Sequence, residues 1–174
     1  MYQIGLSLNI PYHELMHRLE KSVGKGRIRW LDIGCGYGDA VASLAKEFPR
    51  IEAHGIGIAR LPSWKTIPNV RWKVAHANKT GYRSNFFDAV QSYFGLTHSA
   101  DVMSGLAELH RILRPGGHAF FNIEMSKILE EGRGTFSSRL KKMGFDVLDC
   151  EEEVWMDGLP CVRVHVVKSD KARL

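Results

Sequence analysis

The sequence predicts an α/β fold, a three-layer sandwich around a seven-stranded, mostly parallel sheet whose last strand is antiparallel. Short runs of β-branched and aromatic residues alternate with amphipathic segments, a pattern typical of parallel strands joined by crossover helices. The first predicted strand runs directly into three alternating glycines, which mark a tight turn into a helix. The last two predicted strands are separated by a short turn around Asp157-Gly158, so we expect an antiparallel hairpin at one sheet edge.

Four helices are predicted from apolar residues that recur every three or four positions. In chain order they are expected at residues 11–22, 41–48, 102–113 and 136–143. Each is followed by residues that disfavour a helix. These are Gly24 and Gly26 after the first helix, Pro49 after the second, a Pro-Gly-Gly run at 115–117 after the third, and Gly144 after the fourth.

Seven strands are predicted from short runs of β-branched and aromatic residues. They are expected at residues 29–33, 51–58, 70–75, 87–94, 118–123, 145–148 and 161–167. Between the second and third strands, residues 61–69 contain two prolines, which leave room for no more than a short helix or a turn.

The composition places the protein in an ordinary globular class. Of the 174 residues, 44% are hydrophobic and 25% are charged, which excludes disordered, collagen-like and low-complexity proteins. The length predicts a single domain over residues 1–174, with an amino-terminal helix at about 11–23, a core at about 29–168 and a polar tail at 169–174. No stretch approaches about 18 apolar residues, so no transmembrane helix and no membrane partner are predicted.

Cysteines and net charge bear on location and partners. Cys35, Cys150 and Cys161 form an odd, scattered set, which argues against a disulfide framework or a zinc site and for a reducing, cytoplasmic compartment. Residues 1–11 carry no early lysine or arginine before an apolar stretch, so no signal peptide is expected. The net charge of +5 is compatible with anionic partners without indicating one.

A glycine-rich loop lies where the first predicted strand meets the next helix. Gly34, Gly36 and Gly38 alternate there, and each lacks a Cβ where a ligand or a neighbouring backbone must come close. The free N–H groups of the following helix point at the loop. A dinucleotide fingerprint needs glycine or alanine where this chain has Asp39. Because that carboxylate, with Asp32 nearby, would repel a pyrophosphate, a phosphate-free ligand with a cationic centre suits the loop better than the cofactor of a nucleotide-dependent oxidoreductase.

Three motifs follow one another along the chain. They read LDIGCGYG at 31–38, NFFDAVQS at 85–92 and LAELHRILRPGG at 106–117. In this order they resemble the motifs of the class I S-adenosylmethionine-dependent methyltransferases, and the resemblance covers about residues 29–168. It implies a Rossmann-like fold, S-adenosylmethionine as cofactor, and transfer of its methyl group by in-line displacement.

The resemblance also implies a cofactor site at the ends of the first four strands. The expected cofactor-binding residues are Asp32, Gly34, Cys35, Gly36, Gly38, Gly57, His76, Ala77, Ser92 and Tyr93. The glycines after the first strand resemble the loop around the methionine part of the cofactor, and Asp32 resembles the acid that holds its amino group. Ser92 and Tyr93 resemble the residues beside the transferable methyl group. No metal site is implied.

His98 follows in the loop that usually faces the acceptor. Its ordinary pKa suits a general base, so it is the candidate catalytic residue. Methyl transfer from a sulfonium depends mainly on proximity and orientation, so a solvent-facing histidine without a catalytic role is the alternative. Trp64 is expected in the core, with shielding of an adenine as the alternative, and Glu151-Glu152-Glu153 is expected in a solvated segment.

The resemblance departs at two positions on the adenosine side. The family usually ends its second strand in an acid that holds both ribose hydroxyls, and this chain has Gly57 there. His76 stands where an acid would contact the adenine amino group, which leaves the amide of Asn78 to read the adenine edge. A charge-assisted hydrogen bond contributes roughly 1.5–3 kcal/mol, so we expect weaker cofactor binding by at least about an order of magnitude unless other contacts compensate.

The predicted function is S-adenosylmethionine-dependent methyl transfer to an oxygen or nitrogen of an unidentified acceptor. The alternative is a degenerate, non-catalytic domain of the same fold that works as a binding or interaction module, and the two missing acids favour it. The short segment 124–135 leaves the acceptor side open, as suits a macromolecular acceptor or a pocket completed by a partner chain. The basic run from Arg71 to Arg83 is interpreted as a solvated face, with nucleic-acid contact as the alternative.

Overall fold

A computed structural model describes residues 8–99, 101–128, 132–155 and 158–170. Four predictions reach beyond these residues. They concern the amino terminus before residue 8, the middle of segment 124–135, the turn residue Asp157 and the end of the polar tail. In the ranges that the structure describes, no helix is both long and apolar enough to cross a membrane.

Seven strands form one sheet in the order β3-β2-β1-β4-β5-β7-β6. The strands are β1 Ile28–Ile33, β2 Ile51–Gly57, β3 Val70–Val74, β4 Phe87–Ser92, β5 Leu113–Glu124, β6 Phe145–Val154 and β7 Pro160–Lys168. β7 runs antiparallel to both of its neighbours, and the other pairs are parallel. The predicted fold class is therefore confirmed. β1 and β4 are neighbours although they are distant in the chain, so the strand order reverses between them and opens a crevice at their carboxyl ends.

The helices cover both faces of this sheet. They are α1 Tyr12–Val23, α2 Asp39–Glu47, α3 Val102–Ile112 and α4 Gly132–Lys142, and a short 3-10 turn follows β5 at Met125–Lys127. α1 and α2 pack on one face, in a core that includes Trp30 and Phe120. α3 and α4 pack on the opposite face, in a core that includes Leu31 and Phe121. Consecutive strand residues thus enter opposite cores, as the pleat requires, and the three-layer arrangement follows.

β5 and β6 are both longer than the sequence predicts. β5 begins at Leu113, because that residue pairs with Phe87 of β4 before the register shifts. The Pro-Gly-Gly run therefore lies in an irregular strand start, with Gly116 at φ +70°, rather than in a turn between helix and strand. β6 continues to Val154 instead of ending at Leu148, because it pairs with β7 along its length.

The acidic run is part of an edge strand rather than of a separate solvated segment. Glu151 and Glu152 are exposed, as expected. Glu153 forms an ion pair with Arg163 of β7, whose guanidinium also lies 3.0 Å from the carboxylate of Asp149. Acidic side chains on the outermost strand disfavour pairing of that edge with another chain.

The basic run lies at the opposite edge, on β3 and in the loop after it. Arg71 and Arg83 are exposed. The Lys73 ammonium lies 4.6 Å from the centre of the Tyr82 ring, and the Arg83 guanidinium lies 5.1 Å from that of Phe86. These cation–π contacts anchor the basic side chains on their own fold. Nucleic-acid contact by this face stays an alternative prediction.

Residues 75–86 connect β3 to β4 without a helix, and the carboxylate of Glu108 on α3 holds this loop. It accepts hydrogen bonds from the amide and hydroxyl of Thr80 at 2.9 and 2.6 Å, and from Arg111 at 2.7 and 2.8 Å. Arg111 also donates to the carbonyl of Tyr82 at 2.6 Å. Burial alone would raise the pKa of Glu108, but the hydrogen bonds from Arg111 and Thr80 outweigh it and lower the pKa to about 2.

We expect Glu108→Gln to lower the free energy of unfolding at neutral pH by about 1–2 kcal/mol, because a neutral amide accepts these bonds less strongly. The folded-state pKa lies below the ordinary value of 4.5, so the stabilisation is present above that pH and is lost as the pH falls towards 2. Urea unfolding of both proteins at neutral and at acidic pH measures this. The exposed Glu152→Gln is the control and should change stability by less than about 0.5 kcal/mol. An equal gap between wild type and Glu108→Gln at both pH values would contradict the assignment.

Candidate functional site

A cavity of about 460 Å³ opens at the carboxyl ends of the first four strands. It lies beside the point between β1 and β4 where the strand order reverses, which is where open α/β sheets bind ligands. Its volume suits a small organic ligand. The predicted site residues that line it are Gly34, Gly36, Gly57, His76, Ala77, Tyr93 and His98.

The glycine loop carries a close backbone contact. A Cβ built on Gly34 would lie 2.6 Å from the Cα of Gly95, and one built on Gly95 would lie 2.1 Å from the carbonyl oxygen of Ile33. The loop after β4 therefore lies directly on the loop after β1, and neither position accommodates a side chain. Gly34 also has φ +78°, in the left-handed region that favours glycine.

Gly38 serves packing rather than the cavity. A Cβ there would lie 2.5 Å from the Trp72 ring. The side chain of Trp72 stacks on that of Trp64, with ring centres 5.4 Å apart and planes 14° apart. The third glycine of the motif thus makes room for a pair of indoles, whereas the sequence analysis expects it to bind the cofactor.

Asp32 lies beneath the glycine loop, outside the cavity lining, and is only 3% exposed. Burial raises the pKa of its carboxyl to about 7, although a hydrogen bond from Gln91 opposes the rise. The amide oxygen of Gln91 accepts hydrogen bonds from Tyr12 at 3.1 Å and from Trp30 at 3.2 Å, which leaves the amide nitrogen to donate to Asp32. A buried carboxyl with a raised pKa favours a cationic group that would pair with its charged form.

An indole lies beside Gly57, the position at which the resemblance implies an acid. A Cβ on Gly57 would lie 3.3 and 3.4 Å from two ring carbons of Trp64. Trp64 is buried in the core, as expected, and lines the cavity as well. Its ring nitrogen donates to the carbonyl of Gly36 at 2.8 Å. In the sequence, the one signal for an indole beside Gly57 is the tryptophan between the two prolines of residues 61–69.

Two predicted cofactor residues lie behind the cavity wall. Cys35 is buried, and burial together with the Asp32 charge raises the pKa of its thiol to about 12, so it is no nucleophile at neutral pH. The hydroxyl of Ser92 donates to the carbonyl of Ile33 at 3.0 Å and accepts from the amide of Leu96 at 3.1 Å. Ser92 therefore ties β1 to the loop after β4.

The remaining predicted residues lie at the cavity rim. His98 is exposed and lines the cavity, so its position is compatible with a general base and also with a solvent-facing side chain. His76 lines the cavity next to Ala77 and Asn78 and pairs with Lys79 across an isolated β-bridge. No group of three or more His, Cys, Asp or Glu side chains within the described part of the chain could hold a metal ion.

Sequence reasoning missed an aromatic group beside the cavity. The rings of Tyr93, Phe94 and Trp155 contact one another edge to face. Phe94 has φ +55°, and its amide donates to the side-chain oxygen of the buried Asn122 at 2.6 Å. No local pattern signals this group, because its members come from the loop after β4 and from the hairpin after β6.

Comparison with known proteins gives consistent matches. A family model described as a methyltransferase domain matches residues 31–121. A demethylmenaquinone methyltransferase from Chlorobaculum parvum is 33% identical over 104 residues, covering 56% of this chain and 41% of that protein. A ubiquinone/menaquinone biosynthesis C-methyltransferase from Desulfotalea psychrophila is 34% identical over 99 residues, covering 54% of this chain and 39% of that protein.

One solved structure of similar fold is the 1,6-didemethyltoxoflavin-N1-methyltransferase of Burkholderia thailandensis, with bound 1,6-didemethyltoxoflavin and S-adenosylhomocysteine. It gives a TM-score of 0.67 at 18% identity and covers 90% of this chain and 77% of that one. The chain spans about two-fifths of the length of the two curated relatives. The methyltransferase-domain model matches more than half of the 174 residues, and the chain therefore belongs to the methyltransferase domain family.

Proposed function

We propose that this domain binds S-adenosylmethionine in the cavity and transfers its methyl group to an acceptor that enters beside Tyr93 and His98. The observation that carries the proposal is the glycine loop at the β1–β4 crevice with the buried carboxyl of Asp32 beneath it. Membership of the methyltransferase domain family supports it. When bound, the cofactor supplies an electrophilic methyl group on a sulfonium.

The residues present fit that cofactor. Asp32, beneath the glycine loop, is the proposed partner of the ammonium of a methionine moiety, either directly or through water. A Cβ on Gly36 would meet nothing within 4 Å, so the loop is open on the cavity side and a ligand can lie against its backbone. Asn78 offers an amide to the adenine edge, and Trp64 offers an apolar wall beside it. Tyr93 and His98 then line the acceptor end.

The proposed reaction is an in-line displacement that depends on proximity and orientation. The acceptor atom expected from the sequence is oxygen or nitrogen, and the neighbour named an N1-methyltransferase supports nitrogen. The relative named a C-methyltransferase adds carbon as a third candidate. Where the acceptor is a hydroxyl or an amine, His98 is the proposed general base at the cavity rim. The odd, scattered set of three cysteines in the sequence supports a reducing, cytoplasmic setting.

Calorimetric titration with S-adenosylmethionine and S-adenosylhomocysteine tests the proposal. We expect dissociation constants in the micromolar range for both, weakened by the missing diol contact. A folded protein that binds neither compound at about 1 mM would overturn the proposal. That result would favour the non-catalytic domain, for which the specific observation is the indole beside Gly57.

We expect Gly57→Asp to leave the affinity for S-adenosylhomocysteine within about threefold, although it restores the acid that the family usually has. Its Cβ would lie 3.3 Å from Trp64, whose indole is fixed by the bond to Gly36, so the carboxylate lacks room to reach the ribose. The crowding should lower the free energy of unfolding by about 1 kcal/mol. Ile58→Asp adds the same charge at an exposed position of the cavity lining that has no proposed cofactor contact, and it is the control. An affinity gain of about tenfold or more for Gly57→Asp would show that the indole moves aside.

A further inference from the structure

The rim of the cavity continues into a wall of three aromatic side chains, Tyr93, Phe94 and Trp155. The ring centres of Tyr93 and Phe94 are 5.0 Å apart, and that of Trp155 lies 5.1 Å from the first and 6.2 Å from the second. Tyr93 lines the cavity, and Phe94 and Trp155 are half-buried beside it. The aromatic wall therefore extends outward from the end of the cavity proposed for the acceptor.

The sheet brings Trp155 to this position. β4 is parallel to β5, and β6 is parallel to β5 as well because both are antiparallel to the β7 strand between them. The carboxyl end of β6, at Val154, therefore lies at the same end of the parallel strands as the cavity. The amide of Trp155 donates to the carbonyl of Leu159 at 2.8 Å, and its carbonyl accepts from Gly158 at 2.8 Å. These bonds fix the residue at the start of the hairpin turn.

The backbone at Phe94 is held in a conformation that bulky residues rarely adopt. Its φ of +55° is a genuine outlier for an aromatic residue. The amide of Phe94 donates to the side-chain oxygen of Asn122, which is 2% exposed. Strain of this kind persists where the surrounding structure enforces it, and it concentrates at ligand sites. The Phe94 ring centre lies 6.2 Å from that of Trp155.

We propose that this aromatic wall binds a flat, uncharged aromatic ring of the methyl acceptor. This inference rests on the function proposed above. The three rings meet at angles of 68° to 72°, so they contact one another and leave no central gap of the kind that encloses a quaternary ammonium. A flat ring joins such a cluster by offset stacking or by an edge-to-face contact. The carboxylate of Glu153, two residues before Trp155, is already neutralised by an ion pair with Arg163, so it does not favour a cationic partner.

The test uses naphthol as the aromatic probe and decalol, its saturated counterpart of similar size, as the comparison. Both are titrated by calorimetry into the full chain saturated with S-adenosylhomocysteine. We expect naphthol to bind at least about tenfold more tightly than decalol. Trp155→Ala should remove most of that preference and leave the affinity for S-adenosylhomocysteine within about twofold, whereas Trp155→Phe should keep the preference within about threefold.

Val154→Ala is the matched control, because Val154 precedes Trp155 on the same hairpin and is largely exposed. This substitution should change neither the preference for naphthol over decalol nor the affinity for S-adenosylhomocysteine. If the two probes bind equally well, or if Trp155→Ala weakens the binding of both equally, the proposal that the aromatic wall binds an aromatic ring is wrong. If S-adenosylhomocysteine does not bind, that result counts against the proposed function alone. Naphthol binding to the protein without S-adenosylhomocysteine still tests whether the aromatic wall binds an aromatic ring. Circular dichroism shows whether Trp155→Ala is folded. If it is not, the affinities of Trp155→Phe for the two probes test the proposal instead.

Discussion

Asp32→Asn is expected to stabilise the protein above about pH 7 and to weaken its binding of S-adenosylmethionine by roughly 10- to 100-fold. The two effects have one cause. The carboxyl is buried and has no cation beside it in the hydrogen-bond network of Gln91 and Tyr12, so its negative charge is unfavourable in the folded protein. The same charge is what the ammonium of the cofactor would neutralise.

The sign of the pH dependence follows from the pKa of Asp32. Burial raises it from 3.8 to about 7, against the hydrogen bond from Gln91. A group whose pKa is higher in the folded state contributes stability that is fully present below its unfolded pKa. That stability is lost as the pH rises through the folded value. Relative to Asp32→Asn, the wild type should therefore lose stability between pH 4 and pH 7.

Urea unfolding across this pH range and titration with S-adenosylmethionine measure both effects. Cofactor binding to the wild type should strengthen as the pH rises through about 7, because the charged carboxylate is the form that pairs with an ammonium. The exposed Asp39→Asn is the matched control. It removes a carboxylate from the first turn of α2 and should destabilise by about 0.3–1 kcal/mol, opposite in sign to Asp32→Asn. Unchanged affinity with lower stability in Asp32→Asn would make Asp32 a structural hydrogen-bond acceptor only.

The second large effect is expected at Gly95. Gly95→Ala should lower the free energy of unfolding by about 3 kcal/mol or more, because its Cβ would lie 2.1 Å from the Ile33 carbonyl oxygen and 2.9 Å from the Cα of Gly34. Both contacts are with backbone atoms at the carboxyl end of the central strand β1. Moving either atom aside would therefore disturb the sheet or the glycine loop. The glycine loop would shift with the loop after β4, and cofactor binding should be lost with it.

Gly134→Ala is the control for this substitution. It lies in α4, and a Cβ there would meet nothing within 4 Å. Alanine should stabilise that helix by roughly 0.5–1 kcal/mol. Urea unfolding of the two variants gives shifts of opposite sign. A loss below about 1 kcal/mol for Gly95→Ala would mean that the two loops separate easily.

The sequence predicts the buried part of the fold better than its edge. β1 and β4 are largely buried on both faces, and their apolar residues make both runs recognisable from the sequence. β6 is underpredicted, because its outer half carries Asp149 to Glu153, and acids argue against a strand. The outer half of β6 forms a strand because it pairs with β7, and local composition does not indicate that pairing.

The candidate site divides in the same way. Gly34 and Asp32 belong to one contiguous motif, and the resemblance of that motif implies their roles. Trp64 and Gly36, and likewise Phe94 and Asn122, are joined across 28 positions of the chain. Such partners depend on which strands become neighbours, so the wall beside Gly57 and the aromatic wall became visible only in the fold.

The position of β7 between β5 and β6 has a consequence for synthesis on the ribosome. β5 and β6 emerge first, but they cannot be joined until β7 has emerged between them. Until then β5 presents an open edge that includes Phe120 and Phe121, and an unpaired apolar edge is a site of aggregation. Because β6 and β7 are joined by a short turn, they can form a hairpin locally and dock on β5 as a unit, which shortens the time that this edge stays open.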